Sequence, residues 1–132
     1  MGLRWYTVVV DCRDPRAQGA WWAEVLGWQI DFEADDEVVI VPPHAERQEE
    51  TLPPEERGQV LVFVPVPEGK TVKNRLHLDL APRAGDDQAS EVRRLLEMGA
   101  TRVDVGQGDD KTWVVLADPE GNEFCVLSPR DS

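Results

Sequence analysis

The segment from Tyr6 to Trp28, YTVVVDCRDPRAQGAWWAEVLGW, contains an apolar run, a helix start and a terminating glycine in that order. The run from Tyr6 to Val10 is typical of a β-strand. Asp14 followed by Pro15 is a strong helix start, because an Asp side chain caps free backbone N–H groups and proline suits the first helical position. Gly27 can adopt the left-handed conformation that ends many helices. The segment therefore predicts a strand followed by a helix.

The same order of elements recurs in the second half of the chain. Leu76 to Leu80 predicts a strand, 86–98 predicts a helix, and Gly99 ends it. Three strand-like runs follow each helix, at 28–32, 37–41 and 60–66 in the first half and at 101–105, 112–117 and 123–127 in the second. We therefore expect an α+β fold of two βαβββ modules, which form one cupped mixed β-sheet with the helices on its outer face.

The join between the halves is short. Glu68-Gly69-Lys70 interrupts the apolar pattern, and no Gly/Ser-rich linker separates the two modules. We therefore expect a single domain over 1–132, with module one at 3–68 and module two at 72–128.

The composition excludes several classes of partner. A net charge of −12 repels nucleic-acid backbones and anionic lipids, so we expect neither a nucleic-acid nor a membrane partner.

The N-terminus has no signal-peptide pattern, which favours a cytoplasmic protein. Cys12 and Cys125 are far apart and strand-like in context, so we expect two buried reduced thiols. The glutamate-rich segment 43–58 is either a lid over the cup or a surface loop.

The strand around His77 has a polar side. Strand alternation places Arg75, His77 and Asp79 on one face, and Leu76, Leu78 and Leu80 on the face that packs against a helix. His77 is a candidate general acid or base, because imidazole both donates and accepts protons, unless it is a structural histidine held by a carboxylate.

The chain contains five tryptophans. Trp21 and Trp22 are adjacent on one helix, so one is expected in the core and the other at its edge. Trp5 and Trp113 lie in strand-like runs, where they either pack in the core or line the cup and stack on a flat apolar ligand.

The chain resembles the vicinal oxygen chelate superfamily, which includes glyoxalases, bleomycin-resistance proteins and extradiol dioxygenases. The resemblance is carried by the Asp14-Pro15 start, the Leu26-Gly27-Trp28 stop, the strand at 76–80 and the Asp118-to-Glu123 turn. The resemblance covers essentially the whole chain. Within the superfamily, the chain is similar to small bacterial glyoxalase-like proteins. The resemblance implies a homodimer with a cupped site.

The resemblance also implies positions for metal ligands. His77 matches one of them, but Thr7 is the best counterpart in the first strand and Cys125 stands where the family has a glutamate. Glu123 lies two residues earlier on the same face. We therefore predict no metal and no other cofactor. Zinc held by His77 and Cys125, with Glu123 or Asp79 added, is the alternative.

The fold alone does not assign a function. The leading hypothesis is a metal-independent protein that binds a small apolar or aromatic molecule, as bleomycin-resistance proteins bind a ligand without catalysis. The candidate ligand-binding residues are Trp5, Thr7, Arg75, Asp79, Trp113, Glu123 and Cys125, with His77 as the candidate catalytic residue. The alternatives are a metal-dependent lyase, isomerase or dioxygenase that uses His77, and a structural or partner-binding dimer.

Overall fold

The computed structural model describes residues 2–43, 52–53, 59–104 and 112–130. Its elements alternate as two βαβββ series and confirm the predicted α+β fold. The elements are β1 (Val8–Cys12), α1 (Pro15–Leu26), β2 (Gln29–Ala34), β3 (Glu37–Val41), β4 (Leu61–Pro65), β5 (Leu78–Leu80), α2 (Gln88–Glu97), β6 (Thr101–Arg102), β7 (Val114–Ala117) and β8 (Glu123–Val126). The chain divides into two compact units, Met1–Gly69 and Lys70–Ser132. The organisation of both modules as one domain stays a prediction.

The first unit contains a four-stranded sheet in the order β1-β4-β3-β2, in which only the β1–β4 pair is parallel. Helix α1 packs on this sheet, and Val38, Ile40 and Phe63 are completely buried. Gly19 of α1 allows a close approach, because a Cβ built there would lie 2.6 Å from Cγ1 of Val38.

Helix α1 has the ends that the sequence predicts. Oδ1 of Asp14 accepts a hydrogen bond from the Ala17 N–H at 3.1 Å, and Gly27 has a φ of 68°. Trp22 is buried and Trp21 is half-buried, with their rings edge to face at 5.2 Å between centroids. The prediction of one core and one edge tryptophan is confirmed.

The second unit contains the sheet β5-β8-β7-β6, in which only the β5–β8 pair is parallel. The amide of Gln88, at the start of α2, donates to the backbone oxygens of Thr112 at 2.8 Å and Val126 at 2.9 Å. It thereby ties the helix start to the end of β8. The predicted tight turn before β8 is also present, since Oδ1 of Asp118 accepts from the backbone N–H groups of Glu120 and Asn122.

Several predicted strand bounds are wrong. β1 begins at Val8 and not at Tyr6, because the pairing with β4 begins at Leu61. β5 contains three residues, so Leu76 lies outside it and is 90% exposed; the prediction that Leu76 packs against a helix is wrong.

Other predicted segments are shorter or lie outside the described residues. β6 contains only Thr101 and Arg102. Most of the acidic segment 43–58 lies outside the described residues, as does the stretch 105–111, which begins at the last residue of the predicted strand at 101–105. Neither of the described helices combines the length and the apolar character needed to cross a lipid bilayer.

Candidate functional site

Three side chains with metal-binding or proton-transfer chemistry meet on the second sheet. Asp79 in β5 pairs directly with Cys125 in β8, and His77 immediately precedes β5. Directly opposed residues present their side chains on the same face of a sheet, and His77 is two residues before Asp79. One nitrogen of His77, one carboxylate oxygen of Asp79 and Sγ of Cys125 all lie within 4.8 Å of one another. These residues form the His77–Asp79–Cys125 cluster.

Asp79 is the central acceptor of the cluster. Its Oδ1 lies 3.2 Å from Nε2 of His77, which is within hydrogen-bonding distance. The contact is an ion pair when the imidazole is protonated. The side chains of His77 and Asp79 are 44% and 50% exposed, so both are accessible to a solute.

Cys125 is the buried member of the cluster, with 7% exposure. Burial is the largest cause that raises the pKa of its thiol, followed by the negative charge of Asp79 and a hydrogen bond with that carboxylate. Lys73 acts weakly in the opposite direction. The thiol is therefore protonated at neutral pH and donates to Asp79, which is unfavourable for a cysteine nucleophile.

The donor set fits a divalent metal of borderline softness. Imidazole nitrogen, carboxylate oxygen and thiolate sulfur are the three ligand types of zinc, and three protein ligands leave a fourth position open. Donors about 2.0–2.3 Å from a tetrahedral ion are about 3.3–3.8 Å apart. The His77–Asp79 separation of 3.2 Å is already close to this value. The donor atoms of all three pairs lie within 4.8 Å of one another. Rotation of the exposed His77 and Asp79 side chains can therefore bring the three donors to the distances that a metal requires.

Glu123, a predicted ligand-binding residue, is already paired. Its Oε2 accepts from Nζ of Lys70 at 2.9 Å, and its Oε1 accepts from the Asn74 N–H at 2.9 Å. Burial raises the pKa of the Glu123 carboxyl, but the hydrogen bonds from Asn74, Lys70 and its own backbone N–H, with the positive charge of Lys70, hold that pKa below its usual value. Glu123 thus joins the segment before β5 to β8.

The remaining predicted site residues are divided between the two units. In the first unit, Oγ1 of Thr7 donates to the Val60 carbonyl at 3.1 Å, and Trp5 is 68% exposed. In the second unit, Arg75 and Trp113 are exposed. Sequence reasoning missed Lys70 and Asn74 as partners of Glu123. The signal was a glutamate at the start of a buried strand, which requires donors nearby.

The first unit also presents an apolar face. Val9, Val62, Val39 and Phe32 pair in register across all four strands, on the face opposite the buried Val38 and Phe63. Val9 and Phe32, on the two edge strands, are about half exposed. These four residues are called the apolar row.

The comparisons agree with this architecture. The sequence model of the family described as "Glyoxalase-like domain" matches residues 7–127. One similar solved structure is a mutant of the fosfomycin resistance protein FosX from Listeria monocytogenes, described as complexed with Mn(II) and 1S,2S-dihydroxypropylphosphonic acid. It superimposes with a TM-score of 0.68 and 7% sequence identity, over 99% of this chain and 94% of that one. FosX from Mesorhizobium loti gives 0.64 and 10%, over 99% and 95%.

A third similar structure is a glyoxalase-related enzyme from Fulvimarina pelagi, with a TM-score of 0.63 and 16% identity, over 94% of this chain and 86% of that one. At these identities the likeness to solved structures shows the fold alone. No curated protein sequence matches this chain.

Proposed function

Because the chain belongs to the glyoxalase-like domain family of the vicinal oxygen chelate superfamily, we propose that it is a metal-dependent enzyme of the lyase, isomerase or dioxygenase type. The metal ligands in this proposal are His77, Asp79 and Cys125. The observation that carries it is the convergence of their donor atoms within 4.8 Å. This is the alternative hypothesis of the sequence analysis, and the convergence favours it over a protein without a metal.

The chain's own residues have distinct roles in this proposal. Cys125 anchors the cluster, since its position in β8 is fixed by pairing with both β5 and β7. The side chains of His77 and Asp79 are about half exposed, so they can change conformation to complete the coordination of the metal. A bound divalent ion supplies Lewis-acid polarisation of a substrate oxygen at the open position. Arg75, exposed two residues before His77, supplies a cation for an anionic group on the substrate.

Metal analysis of the purified protein tests the proposal. We expect about one equivalent of a divalent metal per chain, and thermal stabilisation when metal is returned to chelator-treated protein. His77→Gln and Asp79→Asn should lose most of this stabilisation. Asp11→Asn in β1 is the matched control and should keep it, because Asp11 is exposed and outside the cluster. Absence of binding by Zn²⁺, Co²⁺, Ni²⁺ and Mn²⁺ alike would contradict the proposal.

A second candidate function is metal-independent binding of a small apolar or aromatic molecule. The observation that favours it is the apolar row, which crosses all four strands of the first sheet and leaves Val9 and Phe32 about half exposed. In chelator-treated protein, 1-naphthol should quench tryptophan fluorescence and raise the melting temperature. Phe32→Ala should weaken both effects, and Asp31→Asn, next to it in β2, should not. Equal responses of the two variants would reject this candidate.

We also propose that the protein is cytoplasmic and that it is a homodimer, the latter as the family resemblance implies. The two free cysteines agree with a reducing compartment, where thiols are not paired. Light scattering after gel filtration should give one species of twice the chain mass. A monomer at micromolar concentration would contradict the dimer.

A further inference from the structure

The His77–Asp79–Cys125 cluster contains a sulfur donor, whereas the relative described with a metal carries Mn(II). We propose that this cluster selects a thiophilic ion of borderline softness, such as Zn²⁺ or Co²⁺, and discriminates against Mn²⁺, with the Cys125 thiolate as the selecting ligand. The inference rests on the proposed metal function and goes beyond it by naming the class of metal.

The position of Cys125 makes its sulfur unavoidable for an ion that contacts the whole cluster. Cys125 pairs with Asp79 on one side and with Val115 on the other, and it is 7% exposed. Its side chain has little freedom to turn away, whereas His77 and Asp79 are about half exposed and can adjust. An ion held by all three residues must therefore accept a sulfur ligand.

The supply of oxygen ligands points the same way. Mn²⁺ prefers carboxylate, carbonyl and water oxygens, and the cluster offers one carboxylate. Glu123 is on the same face of β8 as Cys125, but both of its oxygens already accept hydrogen bonds from Lys70 and Asn74. Recruiting Glu123 as a second oxygen ligand would leave the Lys70 ammonium unpaired in a site where it is only 17% exposed.

The binding step is a proton-for-metal exchange. The Cys125 S–H bond breaks, the proton passes to solvent, and a sulfur–metal bond forms in its place, with no change in oxidation state. The hydrogen bond from the thiol to Asp79 is lost in this step, which frees the carboxylate oxygen to become the second ligand.

Cobalt absorption reports this sulfur–metal bond independently of any enzymatic activity. Chelator-treated protein is titrated with Co²⁺, and we expect thiolate-to-cobalt charge-transfer absorption in the near ultraviolet that saturates at about one equivalent. One equivalent of Zn²⁺ should abolish the absorption. A roughly hundredfold excess of Mn²⁺ should leave most of it.

Two cysteine variants form a matched pair for this titration. Cys125→Ser should abolish the charge-transfer absorption and reduce the preference for Co²⁺ over Mn²⁺ at least tenfold. Cys12→Ser should leave both unchanged, because Cys12 is an equally buried thiol in the first unit whose Sγ donates to the Val64 carbonyl. If Cys125→Ser does not fold, Asp79→Asn is the substitute variant, because position 79 is exposed. This variant should keep the charge-transfer absorption but require more Co²⁺ to saturate it.

The outcomes separate the two proposals. Cobalt binding without charge-transfer absorption, or displacement of cobalt by Mn²⁺ as readily as by Zn²⁺, would overturn the selectivity and leave metal binding intact. Failure of Co²⁺, Zn²⁺ and Mn²⁺ to bind would overturn the selectivity and the proposed metal function together.

Discussion

The ammonium nitrogen of Lys70 lies 2.9 Å from Oε2 of Glu123, although 53 residues separate the two in sequence. Their side chains are only 17% and 11% exposed, so water screens this ion pair weakly. The Asn74 N–H donates to the other carboxylate oxygen at 2.9 Å. Glu123 thus joins the segment that leads into His77 to the start of β8.

Replacing Glu123 by Gln should destabilise the protein by about 1–3 kcal/mol. The substitution keeps the shape of the side chain but leaves the Lys70 ammonium without its charged partner in a poorly hydrated position. Urea unfolding measures the free-energy difference. Glu37→Gln, at the exposed start of β3, is the control and should change stability by less than about 0.5 kcal/mol. An effect of Glu123→Gln as small as that of the control would show that the ion pair contributes nothing.

The contribution of Glu123 to stability should depend on pH. Its folded-state pKa lies below the ordinary value of 4.5, so on acidification the unfolded chain takes up a proton at this residue before the folded chain does. The stabilisation is therefore complete above that ordinary value and disappears as the pH falls through the folded-state pKa. The difference in unfolding free energy between the unmodified protein and Glu123→Gln should stay constant near neutrality and narrow below pH 4.5. A difference that widens on acidification would contradict the assigned direction.

The fold could be predicted from the sequence because its signals are local. The Asp14-Pro15 start and the Gly27 stop of α1 depend only on neighbouring residues, and the structure places the helix within their bounds. The limits of β1 and β5 could not be predicted in the same way. They depend on which residues of β4 and β8 are available for pairing. The alternating sequence from Leu76 to Leu80 does not show that β8 pairs with only its last three residues.

The candidate site was only partly predictable for the same reason. Alternation correctly placed His77 and Asp79 together, and the family resemblance directed attention to Cys125. The direct pairing of Asp79 with Cys125, which brings the three donors together, is a property of strand register that neither residue's local sequence contains. The commitment of Glu123 to Lys70 and Asn74 likewise depends on contacts between distant segments.

Replacing Asp79 by Asn should lower the pKa of the Cys125 thiol. The charge of Asp79 and its hydrogen bond with the thiol both raise that pKa, and burial, the largest cause, is unchanged by the substitution. In metal-free protein with Cys12→Ser as background, the pH midpoint for alkylation by iodoacetamide should shift downward. Asp11→Asn in the same background should leave the midpoint unchanged. An upward shift in Asp79→Asn would contradict the proposed hydrogen bond.

Replacing Gly19 by Ala should destabilise the first unit, although alanine is the better helix former by about 1 kcal/mol. The added methyl group would lie 2.6 Å from Cγ1 of Val38 and 3.5 Å from Cδ2 of Phe63. Both neighbours are completely buried, so neither can move aside without disturbing the core, and such overpacking costs about 1–3 kcal/mol. We expect a net loss of stability in urea unfolding.

Two further variants test the cause of that loss. Gly69→Ala is the control, because its nearest neighbour, Cδ of Arg13, would lie 3.6 Å away at an ordinary contact distance. It should change stability by less than about 0.5 kcal/mol. The double variant Gly19→Ala with Val38→Ala should be more stable than the sum of the two single effects predicts, because the smaller side chain makes room for the new methyl group. Strict additivity would show that the close approach of α1 to β3 is not what requires glycine at position 19.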